Sequence, residues 1–256
     1  MTPCEINSDK WRRLLQTIML DGYPCIPRGQ SSNEIISMSQ HFDMNYPVIR
    51  CAERNLNTDF MIAEAAWILS GSNDIALPTK YMKTYAKYSD NNVVMSGAYG
   101  PAYHRQKQYV LDTLNLDPFS RQAVFTIWNE RPAASKDIPC TVSLQFLVRG
   151  GHLHCVANMR SSDVFLGLPY DIFTFSMIAA DIMNSLDFKE DLELGYLTWN
   201  AGSAHIYERD FSKAMACIDS EALSAPLYPH FAVSNVEEHL KAILAGIVAN
   251  WVVGDE

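Results

Sequence analysis

No lysine- and arginine-rich run occurs anywhere in this chain, and a formal net charge of −9 with a pI near 5.2 leaves no electrostatic footprint for a nucleic-acid polymer. The longest apolar run, 243–253, is interrupted by Gly246 and Asn250 and falls well short of the ~20 residues that a membrane-spanning helix needs. Residues 1–10 are polar and lead straight into an amphipathic stretch, so no secretory signal is expected and a soluble, cytoplasmic protein is. No C-x-x-C pair joins the six cysteines (Cys4, Cys25, Cys51, Cys140, Cys155, Cys217), which makes a disulfide framework unexpected. Phosphate loops, dinucleotide loops and nucleophile elbows are also missing, so ATP, NAD and esterase chemistries have no foothold.

What is present is a well-stocked core, with 48% hydrophobic residues in 256, read here as one domain over 1–256. Apolar periodicity predicts helices over 11–20, 58–69, 105–116, 171–186 and 236–251, the last an amphipathic helix covering the core. β-rich alternation predicts strands over 123–129, 141–148, 152–159 and 192–199. Gly150-Gly151 reads as a hairpin turn that makes its two flanking strands antiparallel. Helices and strands interleave without a regular βα repeat, which gives an α+β fold with a mixed or antiparallel sheet packed by helices.

Three groups could carry chemistry. Cys140 begins a strand whose alternation puts Val142, Leu144, Phe146 and Val148 on its own side, a core position by period alone. Arg160 ends a later strand, and a guanidinium near a thiol favours the attacking thiolate. Glu64 stands in an otherwise apolar helix with Met61 and Ile68 a turn away on either side, so it is expected to point inward with a raised pKa suited to acid-base work. Arg28, Arg121 and Arg160-Ser161 offer donors for a phosphate. His152-Leu153-His154-Cys155 does not make a metal site, because alternation turns Cys155 away from the histidines, and no metal is expected. Zinc deaminases need P-C-x-x-C, and Pro139-Cys140 is followed by Thr141, Val142 and Ser143.

Over about residues 10–218 these sites run in an order that resembles the thymidylate synthase superfamily, and within it the deoxycytidylate hydroxymethylase branch. Phe165-Leu166-Gly167-Leu168-Pro169 is nearly identical to that family's signature, and Pro139-Cys140 resembles its nucleophile. The resemblance implies a homodimer joined through a sheet face, with Arg121 reaching the partner's phosphate site. It implies methylenetetrahydrofolate as co-substrate, Cys140 as nucleophile, Glu64 as organiser of water and proton transfer, and Asp171 as reader of the base. Arg28, Arg160, Ser161 and Ser162 would hold phosphate, His205 and Tyr207 the sugar, and Tyr99 the substrate. Asp163, Gly167, Met82 and Tyr85 would face the folate.

The departures choose within the superfamily. Asp171 stands where thymidylate synthases carry the asparagine that reads uracil, and an ionised carboxylate can only accept, which suits the 4-amino group of cytosine and a protonated N3. Met82 and Tyr85 stand where the synthases tend to carry tryptophans, and the chain ends Val252-Val253-Gly254-Asp255-Glu256 rather than in a short apolar tail. Thr141 and Gln122 replace a histidine and an arginine of the synthases. The expectation is a dCMP hydroxymethylase, and the resemblance implies the cytoplasm of a phage-infected bacterium as a setting. Open alternatives are a dCMP methyltransferase, a thymidylate synthase or dUMP hydroxymethylase, and a catalytically silent nucleotide- or RNA-binding relative.

Overall fold

The structure, a computed structural model, describes residues 3–130, 134–224 and 235–246. The helices are α1 (Pro3–Asp21), α2 (Thr58–Leu69), α3 (Ala76–Tyr81), α4 (Tyr99–Leu116), α5 (Leu168–Asn184), α6 (Phe211–Asp219) and α7 (Val236–Leu244). The strands are β1 (Tyr23–Cys25), β2 (Ser32–Asp43), β3 (Val124–Thr126), β4 (Thr141–Arg149), β5 (His152–Met159), β6 (Ser162–Asp163) and β7 (Glu193–Tyr207). They form one mixed sheet in the order β1-β2-β7-β5-β4-β3, with β6 also paired to β7. β5 and β6 run parallel to β7, and the other pairings are antiparallel. This is the expected α+β architecture. Among the described residues no helix is long and apolar enough to cross a membrane.

α2 forms where its punctuation places it. Asn57 Oδ1 accepts from the Phe60 N–H at 3.0 Å, capping the first turn, and the helix stops before Gly71 at φ 73°. Nine of its residues, Phe60–Ala63 and Ala65–Leu69, are buried, and Glu64 is the one polar residue within that stretch. The Gly150-Gly151 hairpin is as expected, with φ of 58° and 77° at the two glycines and Arg149 opposite His152.

α5 lies across β5 and β7, and α2 packs on α5. On β5, Leu153, Cys155, Ala157 and Met159 are buried toward these helices while His152, His154, Val156 and Asn158 are half-buried on the other face. That second face carries a polar ladder across four strands: Ser39 donates to Asn200 at 2.7 Å, Asn200 to Asn158 at 3.1 Å, and Asn158 to Ser143 at 3.3 Å. α7 lies on α2 and α5 through the buried Val236, Leu240 and Ile243. It ends at Leu244, short of the predicted 251, because Ala245 caps it and Gly246 turns at φ 68°; residues 247–251 and the C-terminal Val252–Glu256 lie outside the described residues.

Several sequence expectations need correcting. β7 continues eight residues past the predicted end at Trp199, and β2 and β1 were not predicted at all. β3 is shorter than 123–129. In β4 a register shift between Thr141 and Ser143 reverses the alternation. Leu144, Phe146 and Val148 are buried as expected, but Thr141 replaces Val142 as the buried residue next to them. Cys140 is thereby out of phase with the core row and only partly covered.

One long-range tie matters for the site. The indole of Trp11 on α1 donates to the Val164 carbonyl at 2.7 Å, and its ring stacks on Phe165 at 6.4 Å between centroids.

Candidate active site

Cys140 sits where the loop before β4 enters the sheet. Asp90 fixes that loop, its carboxylate accepting from Ser135 Oγ at 2.5 Å and from the Lys136 N–H at 3.0 Å. Arg160 closes the approach from the other side: its Nε donates to the Pro139 carbonyl at 2.9 Å and an Nη to Ile138 at 3.0 Å, with Cys140 Sγ 3.9 Å away. Its guanidinium also lies over the Trp128 ring. The charges of Arg160 and Arg28 pull the Cys140 pKa down, but burial outweighs them and the thiol is raised above its ordinary value. Arg160 therefore acts in the expected direction without producing a resting thiolate.

Cys140 opens onto a cavity of about 140 Å³ whose wall includes Glu64, Trp67, Tyr85, Tyr99, Asp137, Asp171 and Thr174. A cavity of about 150 Å³ is known to admit benzene, so this one is matched to a single six-membered ring. Glu64 comes from α2 and Asp171 from the first turn of α5. Burial raises Glu64 to about 7. The Tyr85 hydroxyl donates to Glu64 Oε1 at 3.1 Å and holds the shift back. Asp171 is raised well above its ordinary value, first by burial and then by the nearby Glu64 and Asp163 carboxylates. Among the described residues no donor reaches its carboxylate. Tyr99 Oη accepts from the Thr141 N–H at 3.3 Å and from its Oγ1 at 3.0 Å. It stands here because Gly100, where a side chain would meet the Ile68 and Ser72 carbonyls within 2.9 Å, lets α4 start against the end of α2.

Asp171 is aimed by the turn ahead of α5. Asp163 Oδ1 accepts from the N–H groups of Phe165 at 3.1 Å and Leu166 at 2.9 Å, and the Asp163 carbonyl accepts from Gly167 N–H at 2.9 Å. Burial lifts the Asp163 carboxyl to about 6. Gly167 lies between this turn and Asp171, a Cβ there being 3.7 Å from Asp171 Oδ2. Arg54 braces the outside of the turn. It donates to the Phe165 and Leu166 carbonyls at 2.9 and 3.1 Å, and its guanidinium lies over the Phe165 and Tyr170 rings.

The remaining predicted residues fall into two places. Arg28 is exposed in the turn between β1 and β2, with φ 52°, and its charge acts on both Cys140 and His205. His205 and Ser162 occupy adjacent rungs of the β6·β7 pairing, and the buried His205 Nδ1 and Ser162 Oγ have no partner among the described residues. Ser161 is half-buried beside Arg160, and Tyr207 packs edge-on to His205 at 5.0 Å. Two cationic groups that act on both Cys140 and His205, with the two unmet polar atoms of the β6·β7 pairing, suit a phosphate and a sugar hydroxyl. Arg121 is exposed three residues before β3, an edge strand of the sheet. Met82 ends α3 and is not on the cavity wall, whereas Tyr85 is.

Sequence reasoning missed Arg54, Asp137 and Thr174. Asp137, three residues before the cysteine, lines the cavity and accepts from Gly97 N–H at 2.6 Å. Thr174 was accessible in principle, since it lies one helical turn beyond Asp171. Arg54 carried no such signal, because its partners are backbone carbonyls more than a hundred residues away.

The thymidylate synthase family model matches residues 9–242, beyond the 10–218 expected from motifs alone and into α7. The match spans the thiol, both cavity carboxylates and the Phe165–Pro169 turn, and the chain therefore belongs to the thymidylate synthase family, whose members transfer a one-carbon unit from methylenetetrahydrofolate to C5 of a pyrimidine nucleotide.

Proposed function

We propose that this chain is a dCMP 5-hydroxymethyltransferase acting through a covalent bond between Cys140 Sγ and C6 of the pyrimidine. The observation that carries the reading is Asp171, a carboxyl group without a protein donor in a ring-sized cavity shared with Cys140 and Glu64.

The raised pKa of Asp171 sharpens the argument about the base. Burial and the neighbouring carboxylates favour the protonated form of the group, and in that form it offers one donor and one acceptor. Cytosine N3 and the 4-amino group complement that pair, and N3 is basic enough to take the proton and leave a charge-assisted contact. Uracil can pair with the neutral acid too, but O4 cannot take the proton. Cytosine is thus preferred because it alone tolerates either position of that proton, a narrower distinction than an acceptor-only carboxylate gives.

Cys140 adds to C6 and activates C5, and Glu64, poised near neutrality, moves protons at the base and at water. Methylenetetrahydrofolate supplies carbon at the oxidation level of formaldehyde. The Tyr85 ring on the cavity wall beside Glu64, braced edge-on by Trp67 at 6.1 Å, offers an aromatic surface for a planar pterin. Arg28, Arg160, Ser161 and Ser162 hold phosphate in this reading, with Arg121 supplied by a second copy docked on the polar-laddered sheet face; His205 and Tyr207 hold the sugar.

The product decides it. Incubation with dCMP and methylenetetrahydrofolate should add CH2O to the nucleotide. Addition of CH2 instead would make the chain a dCMP methyltransferase, and turnover of dUMP alone would refute the assignment of the base.

A further inference from the structure

Cys51 and Cys217 are thiols that the chemistry at Cys140 does not use. Cys51 stands at the head of the short helical turn Ala52–Arg54, and Cys217 lies in α6. The two segments pack together, and just beyond α6 the Ala222 carbonyl accepts from the Ala52 N–H at 3.1 Å. Both side chains are buried, at 1% and 0% exposure, both are free thiols, and they hydrogen-bond to each other. The cover over Cys51 is thin: its Sγ is 3.7 Å from a carboxylate oxygen of the exposed Glu53.

The surroundings of Cys51 favour an anion. Arg12 stands beside it from α1, and the buried Arg12 Nε and Nη2 have no hydrogen-bond partner among the described residues. A buried guanidinium without an acceptor is costly, and a thiolate at Cys51 supplies the charge it lacks. The hydrogen bond from Cys217, helped by the Arg54 N–H and by Arg12, lowers the Cys51 thiol below its ordinary value against the effect of burial. The same bond raises Cys217. One sulfur ready to ionise beside one that keeps its proton is the pairing that an attacking thiol and a resolving thiol need.

We propose that Cys51 and Cys217 form a redox site, oxidised by hydrogen peroxide to a disulfide that links the Ala52–Arg54 turn to α6. The Cys51 thiolate attacks one peroxide oxygen, the O–O bond breaks, and hydroxide leaves and takes a proton from solvent. Cys51 is then a sulfenic acid. The Cys217 sulfur bonds to the Cys51 sulfur, and the sulfenic hydroxyl leaves as water with the Cys217 proton. The two thiols give two electrons to the peroxide, and an external thiol reverses the step by exchange. Arg54 joins this site to the active centre: its N–H donates to the Cys51 carbonyl at 3.2 Å, while its side chain holds the Phe165 and Leu166 carbonyls ahead of Asp171.

Peptide mapping tests the site without reference to any nucleotide. Wild-type protein treated with hydrogen peroxide at pH 7, blocked with N-ethylmaleimide in denaturant and digested, should yield Cys51 and Cys217 peptides joined by a disulfide that dithiothreitol removes. If both cysteines carry maleimide while Cys140 is oxidised, the proposal is overturned. Cys217→Ala should lose the link and leave a sulfenic acid at Cys51 that dimedone traps. A dimedone adduct at Cys217 in Cys51→Ala, with none at Cys51 in Cys217→Ala, would overturn the assignment of the attacking sulfur. Arg12→Met should slow formation of the link several-fold, and an unchanged rate would overturn the role given to Arg12.

Discussion

The Tyr85 hydroxyl donates to Glu64 Oε1 across 3.1 Å, on the wall of the cavity that Cys140 opens onto. The bond ties a residue expected to face folate to the residue expected to move protons. It is also the influence that opposes burial at Glu64. Tyr85→Phe should therefore raise the Glu64 pKa above about 7 and move the corresponding limb of the rate profile to higher pH. A raised KM for folate with an unmoved profile would show that Tyr85 serves the folate instead.

The same carboxyl sets a pH dependence of stability. Its pKa is about 7 in the folded chain against 4.5 as the reference, so between those values the native state holds more protons than the unfolded one. Stability from this group is thus lost as pH rises through that window, by on the order of 3 kcal/mol in full. Glu64→Gln cannot titrate and keeps an acceptor for Tyr85. Calorimetry should find the variant's Tm above that of the wild type at pH 8 and the advantage largely gone at pH 5; parallel curves would contradict a buried, titrating Glu64.

At Cys140 burial prevails over Arg160 and Arg28, so the thiol ionises above its ordinary value. Alkylation of Cys140 by iodoacetamide should be slow at pH 7 and accelerate up to and beyond pH 9. Arg160→Met should slow it further at every pH up to that range. Fast labelling at neutral pH would mean that the arginines dominate. Cys140→Ser should abolish tritium release from C5 of dCMP.

For Asp171 the prediction concerns the ratio of two substrates. Asp171→Asn supplies a fixed donor and acceptor without a mobile proton, and should shift preference from dCMP toward dUMP by at least tenfold, about 1.4 kcal/mol. In the wild type the preference for dCMP should grow as pH rises, because only cytosine retains the shared proton. A selectivity flat in pH and unchanged by Asn would remove Asp171 from base recognition.

The legible parts of this fold were those whose causes are local. α2 was readable to its ends because Asn57 caps it and Gly71 stops it, and the β4·β5 hairpin because two glycines accept positive φ. β2 was not readable: Ser37 sits at φ 63° within it, and its half-exposed residues break strict alternation. The far half of β7 is rich in small residues and takes its regularity from β2 and β6. The candidate residues were visible through their motifs. Their electrostatics were not, since the raised Cys140 and Asp171 depend on how much protein surrounds them.

The bond from the Trp11 indole to the Val164 carbonyl spans 153 positions of the chain. Contacts between such distant segments delay folding, because a long loop must close before they can reward it. As the chain leaves the ribosome, α1 emerges well before the Phe165–Pro169 turn and must wait for it before its tryptophan finds a partner. Nucleotide-binding competence should accordingly appear late in refolding, in step with burial of that indole.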